Sequence, residues 1–320
     1  MEKRSYGKKP FVEPSHKEEA SLEDVTLAEV SAADGPIATA ADAAIRIQCA
    51  DNAVRAVLQA WADSLRLKTP VTVVLDIAIG TEYPECEGIL DRQAGVAFYT
   101  GRRGALCVRW DTARATARLE PGSTTASITL SLAALARLDE CASFFLGAVL
   151  VVLLRRVGWH YLQGAIARDP EGRGWLVVDE PGAGKSATST LLAQNGWHVG
   201  NDNVVFLRQG RHGRAVVIAA GPPIACRPDV DGRFEADLIE PDVIAFASSG
   251  TDAATQAERL APREALALLI RSSEWAMIEP ALAQGHLDLL GRLACQARSF
   301  RVRLAPDLFT RPERLQELIA

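Results

Sequence analysis

The sequence predicts an α/β protein in which a small α+β domain precedes a domain built round a phosphate-binding loop. Three observations carry that expectation. The apolar strand WLVV at 175–178 leads within a few residues to Gly184-Lys185-Ser186, and SATSTLLAQ continues from there as a helix. Short β-branched runs between Gly-rich turns fill the region from 71 to 132. A long, mostly apolar stretch at 133–157 then separates two differently patterned halves. The chain has 320 residues, enough for one large or two ordinary domains. The expected boundaries are a tail and linker at 1–44, the small domain at 45–157 and the loop-bearing domain at 158–320.

Residues 1–30 are rich in Lys and Glu and poor in large apolar groups, so they cannot bury enough surface to offset chain entropy and are expected to be disordered. SAADGPIATAADAA at 31–44 is small-residue linker material. From 45 to about 66, Val54, Val57, Leu58, Trp61 and Leu65 fall near one face of a helix. VTVVLDIAI at 71–79 reads as a strand. The run 95–120 reads as three strands, with 101–104 supplying the first turn, and SITLSL as one more. The apolar stretch 133–157 reads as a buried helix.

In the second half, YLQGAIA and WLVVDE are strands on either side of the turn DPEGRG. A helix is expected at 186–195. VVFLRQG and RAVVIAAG are strands joined by the turn at 209–213. Amphipathic helices are expected at 262–272, with Pro262 suited to its opening turn, and at 286–298. FRVRL is the last strand and 312–320 the last helix. No internal repeat is present.

The formal net charge is −5 and the Lys and Arg residues are dispersed, so there is no basic stripe for nucleic acid. The six cysteines show no metal-ligand spacing and read as reduced thiols in a chain too large to need disulfides. No signal peptide is evident, and FFLGAVLVVLL at 144–154 is too short to cross a bilayer. A cytoplasmic protein without a membrane partner is the expectation.

A nucleotide triphosphate needs many donors and an unobstructed approach. Backbone N–H groups of a Gly-rich turn followed by a helix N-terminus provide both. Here Gly182, Ala183, Gly184, Lys185, Ser186 and Ala187 would form that cradle. Lys185 would reach the β- and γ-phosphates, and the Ser186 hydroxyl would ligate Mg²⁺. The motif's first glycine is replaced by Asp179. Phosphoryl transfer also needs an acid near the metal or the nucleophile. Asp202, in GNDNVVFL, precedes an apolar strand and could serve, or could belong to an ordinary Asn-Asp-Asn turn.

The combination of His160 in WHYLQGAIA, the loop EPGAGKSA, and Asp202 with Asn203 in GNDNVVFL resembles the bacterial HPr kinase/phosphorylase family. More narrowly, it resembles kinase-like relatives sharing only the C-terminal catalytic domain. GPPIACRPDV and LACQARSFRVRLAPDLFTRPERLQELI match more loosely, so that the resemblance covers 158–320. It implies an HPr kinase/PEP carboxykinase-like fold, ATP and Mg²⁺ as cofactors, and a Ser or Thr hydroxyl of a peptide or protein as acceptor. It further implies that Asp202 deprotonates the acceptor, that His160 stands near the phosphates, and that Asn203 joins Ser186 at the metal. Asn203 replaces a second acid, and the family's late EIRGxG-type signature is absent, which argues against HPr itself as substrate. Members of that family are hexamers, so a homo-oligomer is compatible with the resemblance, although the chain carries no interface signal.

A weaker resemblance lies at 8–30, where Phe11 and Pro14 match the leader segments of ribosomally made modified peptides such as lasso-peptide precursors, and His16 departs from them. Such leaders bind by adding a strand to a recognition domain. A solvated tail would account for the same residues.

Overall fold

The computed structural model describes residues 45–65, 67, 72–81, 85–93, 95–179, 185–200, 204–220, 238–249, 254–273, 278–311 and 313–319. The predicted tail and linker at 1–44 lie outside these. Every described residue belongs to one compact unit, Ala40–Ala320.

The first half runs β1 (Ile45–Cys49), α1 (Asn52–Ser64), β2 (Val73–Ile79), β3 (Cys86–Gln93), β4 (Val96–Gly101), β5 (Leu106–Trp110), β6 (Ala115–Leu119) and β7 (Thr125–Leu130). They make one seven-stranded sheet in the order β1-β2-β7-β6-β5-β4-β3. The pairs β1–β2 and β2–β7 are parallel; the rest form an antiparallel meander. Asp51 caps α1 by accepting from the N–H groups of Ala53 and Val54. Gln59 of that helix then covers the open edge of β1: its Oε1 accepts from Ile47 N and its Nε2 donates to Ile45 O, each at 2.9 Å.

A segmented helical stretch follows: α2 (Leu132–Leu135), α3 (Leu138–Glu140), a π-turn at Cys141–Leu146, and α4 (Gly147–Arg156). Then come β8 (His160–Gln163), β9 (Ala165–Arg168), β10 (Gly174–Asp179), α5 (Lys185–Gln194), β11 (His198–Val199), β12 (Val204–Gln209), β13 (Ala215–Ala219), β14 (Leu238–Ile239), β15 (Val243–Ser249) and β16 (Gln256–Leu260). The chain closes with α6 (Pro262–Arg271), α7 (Pro280–Gln296), β17 (Arg298–Leu304) and α8 (Arg314–Ile319).

These strands build two further sheets, ordered β14-β13-β12-β8 and β11-β9-β10-β15-β17-β16. In the second of these, β10, β15 and β17 are parallel neighbours. Leu176, Val178, Ile244 and Phe246 face one cluster with Leu269, Leu290 and Leu293 of α6 and α7. Trp175, Val243, Ala245 and Val302 face another with Leu192, Leu315 and Ile319 of α5 and α8. The parallel strands are therefore covered on both faces, as sheets of this kind require. The molecule is thus mixed α/β with three sheets.

The two halves share one core. The cluster under the seven-stranded sheet continues through α4 into Trp159, Tyr161, Phe206, Ile218 and Ala220. Arg156 adds a polar joint, its Nη1 donating to the carbonyls of Glu120 (2.7 Å) and Ser123 (2.8 Å) and its Nη2 to Glu279 Oε1 (2.6 Å). The five described cysteines are thiols, and burial pushes the Cys107 thiol up to about 11 and the Cys141 thiol up to about 12. Cys226 lies outside the described residues.

Several expectations need correction. The segment read as helix from residue 45 opens as strand β1, whose alternating burial reflects pairing with β2. The single helix read over 133–157 is interrupted, because Ser131 caps a short first turn and a π-turn follows. YLQGAIA is two strands in two sheets, divided at Gly164. The helix read from His286 begins at Pro280. Strands β3, β14, β15 and β16 were not anticipated. Among the described residues no helix is long and apolar enough to cross a membrane.

Candidate active site

Strand β10 leads into the phosphate-loop motif. Its last residue, Asp179, is in parallel register with Ala247 of β15. That backbone is ordinary extended strand, which any L-residue adopts. The aspartate in place of the motif's first glycine therefore imposes no backbone strain. Helix α5 opens at Lys185, six residues later, and has no acidic residue in its first turn. Of Lys185, Ser186 and Ala187 the helical backbone is described; Gly182, Ala183, Gly184, Asp202 and Asn203 lie outside the described residues.

Two aromatic residues fix this strand–helix unit. Trp175 on β10 is fully buried and donates from Nε1 to Asp169 Oδ2 at 2.9 Å. Its ring meets Trp197 edge-on at 4.9 Å, just past the end of α5. Asp169 is held in turn by Arg173, 2.6 Å away. The far end of α5 is thereby pinned to the base of β10, which aims its N-terminus toward the strand's end.

The described segments flanking residues 180–184 and 201–203 converge on Gly164. A Cβ added to Gly164 would stand 3.0 Å from the carbonyl oxygen of Val177, two residues before Asp179. On one side of Gly164, Gln163 is in register with Val204, the residue after Asn203. On the other side, Ile166 accepts a 2.8 Å hydrogen bond from the N–H of Gly200, two residues before Asp202. Gly200 is equally confined: a Cβ there would meet Ile166 at 2.9 Å and Ala219 at 3.1 Å. Both described flanks of the 201–203 segment are thus tied to the residues beside the end of β10.

The structure does not bring His160 to that point. It lies three residues back along β8, roughly 10 Å in extended chain, and pairs with Leu207 instead of Val204. Its ring is buried and packs against His286 of α7, with centroids 4.8 Å apart. His160 Nδ1 and both ring nitrogens of His286 have no hydrogen-bond partner among the described residues. Burial, reinforced by the charge of Arg155, pushes the pKa of His160 down to about 4. Burial, then His160 and Arg155, push that of His286 down to about 3. Both rings are therefore neutral at pH 7.

Two polar residues at the converging edge escaped the sequence reading. Gln163 is half-buried on β8, with its backbone N–H donating to the carbonyl of Ser272. Ser248 is half-buried on β15, one residue beyond the partner of Asp179. A polar residue just before a glycine that divides two strands was the available signal for Gln163. None marked Ser248, because β15 was not recognised. No group of three or more metal-ligating side chains is present among the described residues. No protein-family model matches the chain, and no curated protein matches it either.

Proposed function

We propose that the protein is an ATP- and Mg²⁺-dependent phosphotransferase of the HPr kinase-like type, acting on a Ser or Thr hydroxyl of a peptide or protein. The leader-like segment at 8–30 suggests ribosomal peptide modification, of the lasso type, as its setting. The observation that carries the proposal is the convergence at Gly164 of the strand entering the GAGKS loop and both flanks of the Asp202 segment. An acid-free helix start at the carboxyl end of a parallel strand suits an anionic phosphate.

In this proposal the amides of Gly182 to Ser186 hold the phosphates and Lys185 supplies a point charge. Ser186 and Asn203 carry oxygen donors of the type Mg²⁺ accepts and would hold it. The metal, when bound, neutralises phosphate charge. Asp202 takes the proton of the acceptor hydroxyl as its oxygen bonds to the γ-phosphorus and the bridging bond to ADP breaks. His160, buried and neutral, acts from behind the strand by positioning β8 against α7.

Incubation with ATP, Mg²⁺ and hydroxyl-bearing peptides, read by mass spectrometry, tests this. Asp202→Asn should retain ATP affinity and lose transfer, whereas Lys185→Ala should lose both. Asn203 in place of a second acid favours one other reading, a nucleotide-binding accessory module without transfer. ATP affinity with no phosphate gained by any peptide, and none returned to inorganic phosphate, would establish that reading and reject the first.

A further inference from the structure

Two thiols meet across a strand of the seven-stranded sheet. Leu106 and Val108 of β5 face the core, so strand alternation turns Cys107, between them, to the other face. Cys86 stands on β3 opposite Gly101 of β4. Gly101 has no side chain to fill the space between the two cysteines: a Cβ there would come within 2.8 Å of Cys107 Sγ. Across that gap the thiols of Cys86 and Cys107 are hydrogen-bonded to each other. Cys107 is fully buried, while Cys86 is half-buried on the sheet's edge strand and gives the pair a route to solvent.

Two guanidiniums share that face. Arg118 of β6 is in register with Cys107, and Arg109 lies two residues further along β5. Both charges act on the Cys107 thiol, and Arg118 is close enough to interact with Cys86 as well. Arg109 is held over the ring of Tyr99, 5.3 Å from its centroid, and Tyr99 is in register with Cys107 from the β4 side. Arg118 Nε donates to Glu120 Oε1 at 2.7 Å. Two positive charges and one negative therefore stand beside the sulfurs.

The spacing favours an ion over a disulfide. Cys86 and Cys107 are on strands two apart, so their backbones are separated by roughly 9.5 Å, whereas a disulfide needs Cα atoms within about 7 Å. An ion with bonds of roughly 2.3 Å to sulfur spans two sulfurs up to about 4.6 Å apart, a distance that hydrogen-bonded thiols meet. Among the described residues no group of three or more His, Cys, Asp or Glu side chains could hold a metal, so the pair has no third ligand of that kind. Zn²⁺ takes four ligands, whereas Cu⁺ is soft and accepts two thiolates.

We infer that Cys86 and Cys107 form a two-coordinate site for Cu⁺. Binding joins both sulfurs to the ion and releases two protons to solvent, with no change of oxidation state. The resulting bis-thiolate complex carries one negative charge, which the surplus positive charge of Arg109 and Arg118 over Glu120 offsets. The ion ties the edge strand β3 to β5 across β4.

The full chain, reduced and under an oxygen-free atmosphere, is titrated with Cu⁺ supplied as its acetonitrile complex, in competition with a bicinchoninate dye that changes colour on binding Cu⁺. The protein should withdraw a single equivalent from the dye. Alkylation mapped by mass spectrometry should then show Cys86 protected and the exposed Cys295 still reactive. Cys86→Ser, a small change at the sheet edge, should abolish the withdrawal. Cys107→Ser should do the same, and where burial of the hydroxyl prevents folding, Cys86→Ser alone decides. Gly101→Ala keeps both thiols but forces Cys107 Sγ aside, and should weaken binding at least about tenfold. Arg118→Gln should weaken it severalfold. Copper left with the dye, or withdrawn equally well by Cys86→Ser, overturns the proposal, and so does alkylation of Cys86 that copper does not slow. No part of the test depends on phosphate transfer at the loop.

Discussion

The first half of the chain and the loop-bearing half treat their buried, uncharged polar side chains differently. In the first, buried Ser131 is fully used: its Oγ donates to Ala113 O at 2.7 Å and accepts from the N–H groups of Ala133 and Ala134. The second half has such joints too, in Asp169 with Trp175 and Arg173, and in Thr255 with Asp307. It also buries His160, His286 and Ser299, each with a polar atom that finds no partner among the described residues. An unmet buried polar atom costs about 1–3 kcal/mol. The first half is organised as scaffold, whereas the second half carries local destabilisation at particular places.

The largest expected effect comes from the best-satisfied joint of the second half. Trp175→Ala removes a fully buried ring, its contact with Trp197 and the partner of Asp169. Urea unfolding should show a loss of about 3–5 kcal/mol. A loss below about 1 kcal/mol would mean that α5 is held by something else.

Acid should then separate the two regions. His160 and His286 have folded-state pKa values lowered from 6.5 to about 4 and about 3. Above pH 6.5 both are neutral folded or unfolded, so stability does not vary with pH on their account. As pH falls below 6.5, the unfolded chain takes up protons the folded protein refuses, and stability declines until the folded-state values are reached. Each ring contributes a slope of up to about 1.4 kcal/mol per pH unit, and so roughly 3 kcal/mol by pH 4. A stability profile that stays flat from pH 7 to 4 would contradict this burial.

His286→Leu sharpens the same point. It replaces two unmet nitrogens by an apolar side chain beside Leu289 and Leu290, and should raise stability at pH 6 by about 1 kcal/mol while reducing the acid slope. Destabilisation at every pH would show that the imidazole has a partner the comparison lacks. Smallest is Ser131→Ala on the scaffold side, a lost cap worth about 1 kcal/mol at all pH values.

How much of this was legible in the sequence depended on locality. The GKS motif, the strand before it and the helix after it are set by neighbouring residues, and β10 and α5 occur where the pattern put them. Strand β15 did not announce itself, since VIAFASS is buried on both faces and lacks alternation. The split at Gly164 was hidden for another reason: its cause is the Val177 carbonyl, thirteen residues away in sequence and 3.0 Å from an added Cβ. His160 depends on a non-local feature too. Its place near a loop depends on strand register, which pairs Gln163 rather than His160 with Val204. The stacking of His160 on His286 could not be read locally either, because the two rings come from distant elements.

The core shared across residues 157 and 158 has a consequence for how the chain can be divided. Tyr161, Phe206, Ile218 and Ala220 bury one face of the β8–β12–β13 sheet against the first half. Expressed alone, residues 158–320 would present that face to water as a contiguous apolar patch, the kind that drives association, and would lose the Arg156 tie to Glu279. The loop-bearing half is therefore not a transplantable cassette. Chimaeras that graft it onto another protein should carry residues 45–157 with it.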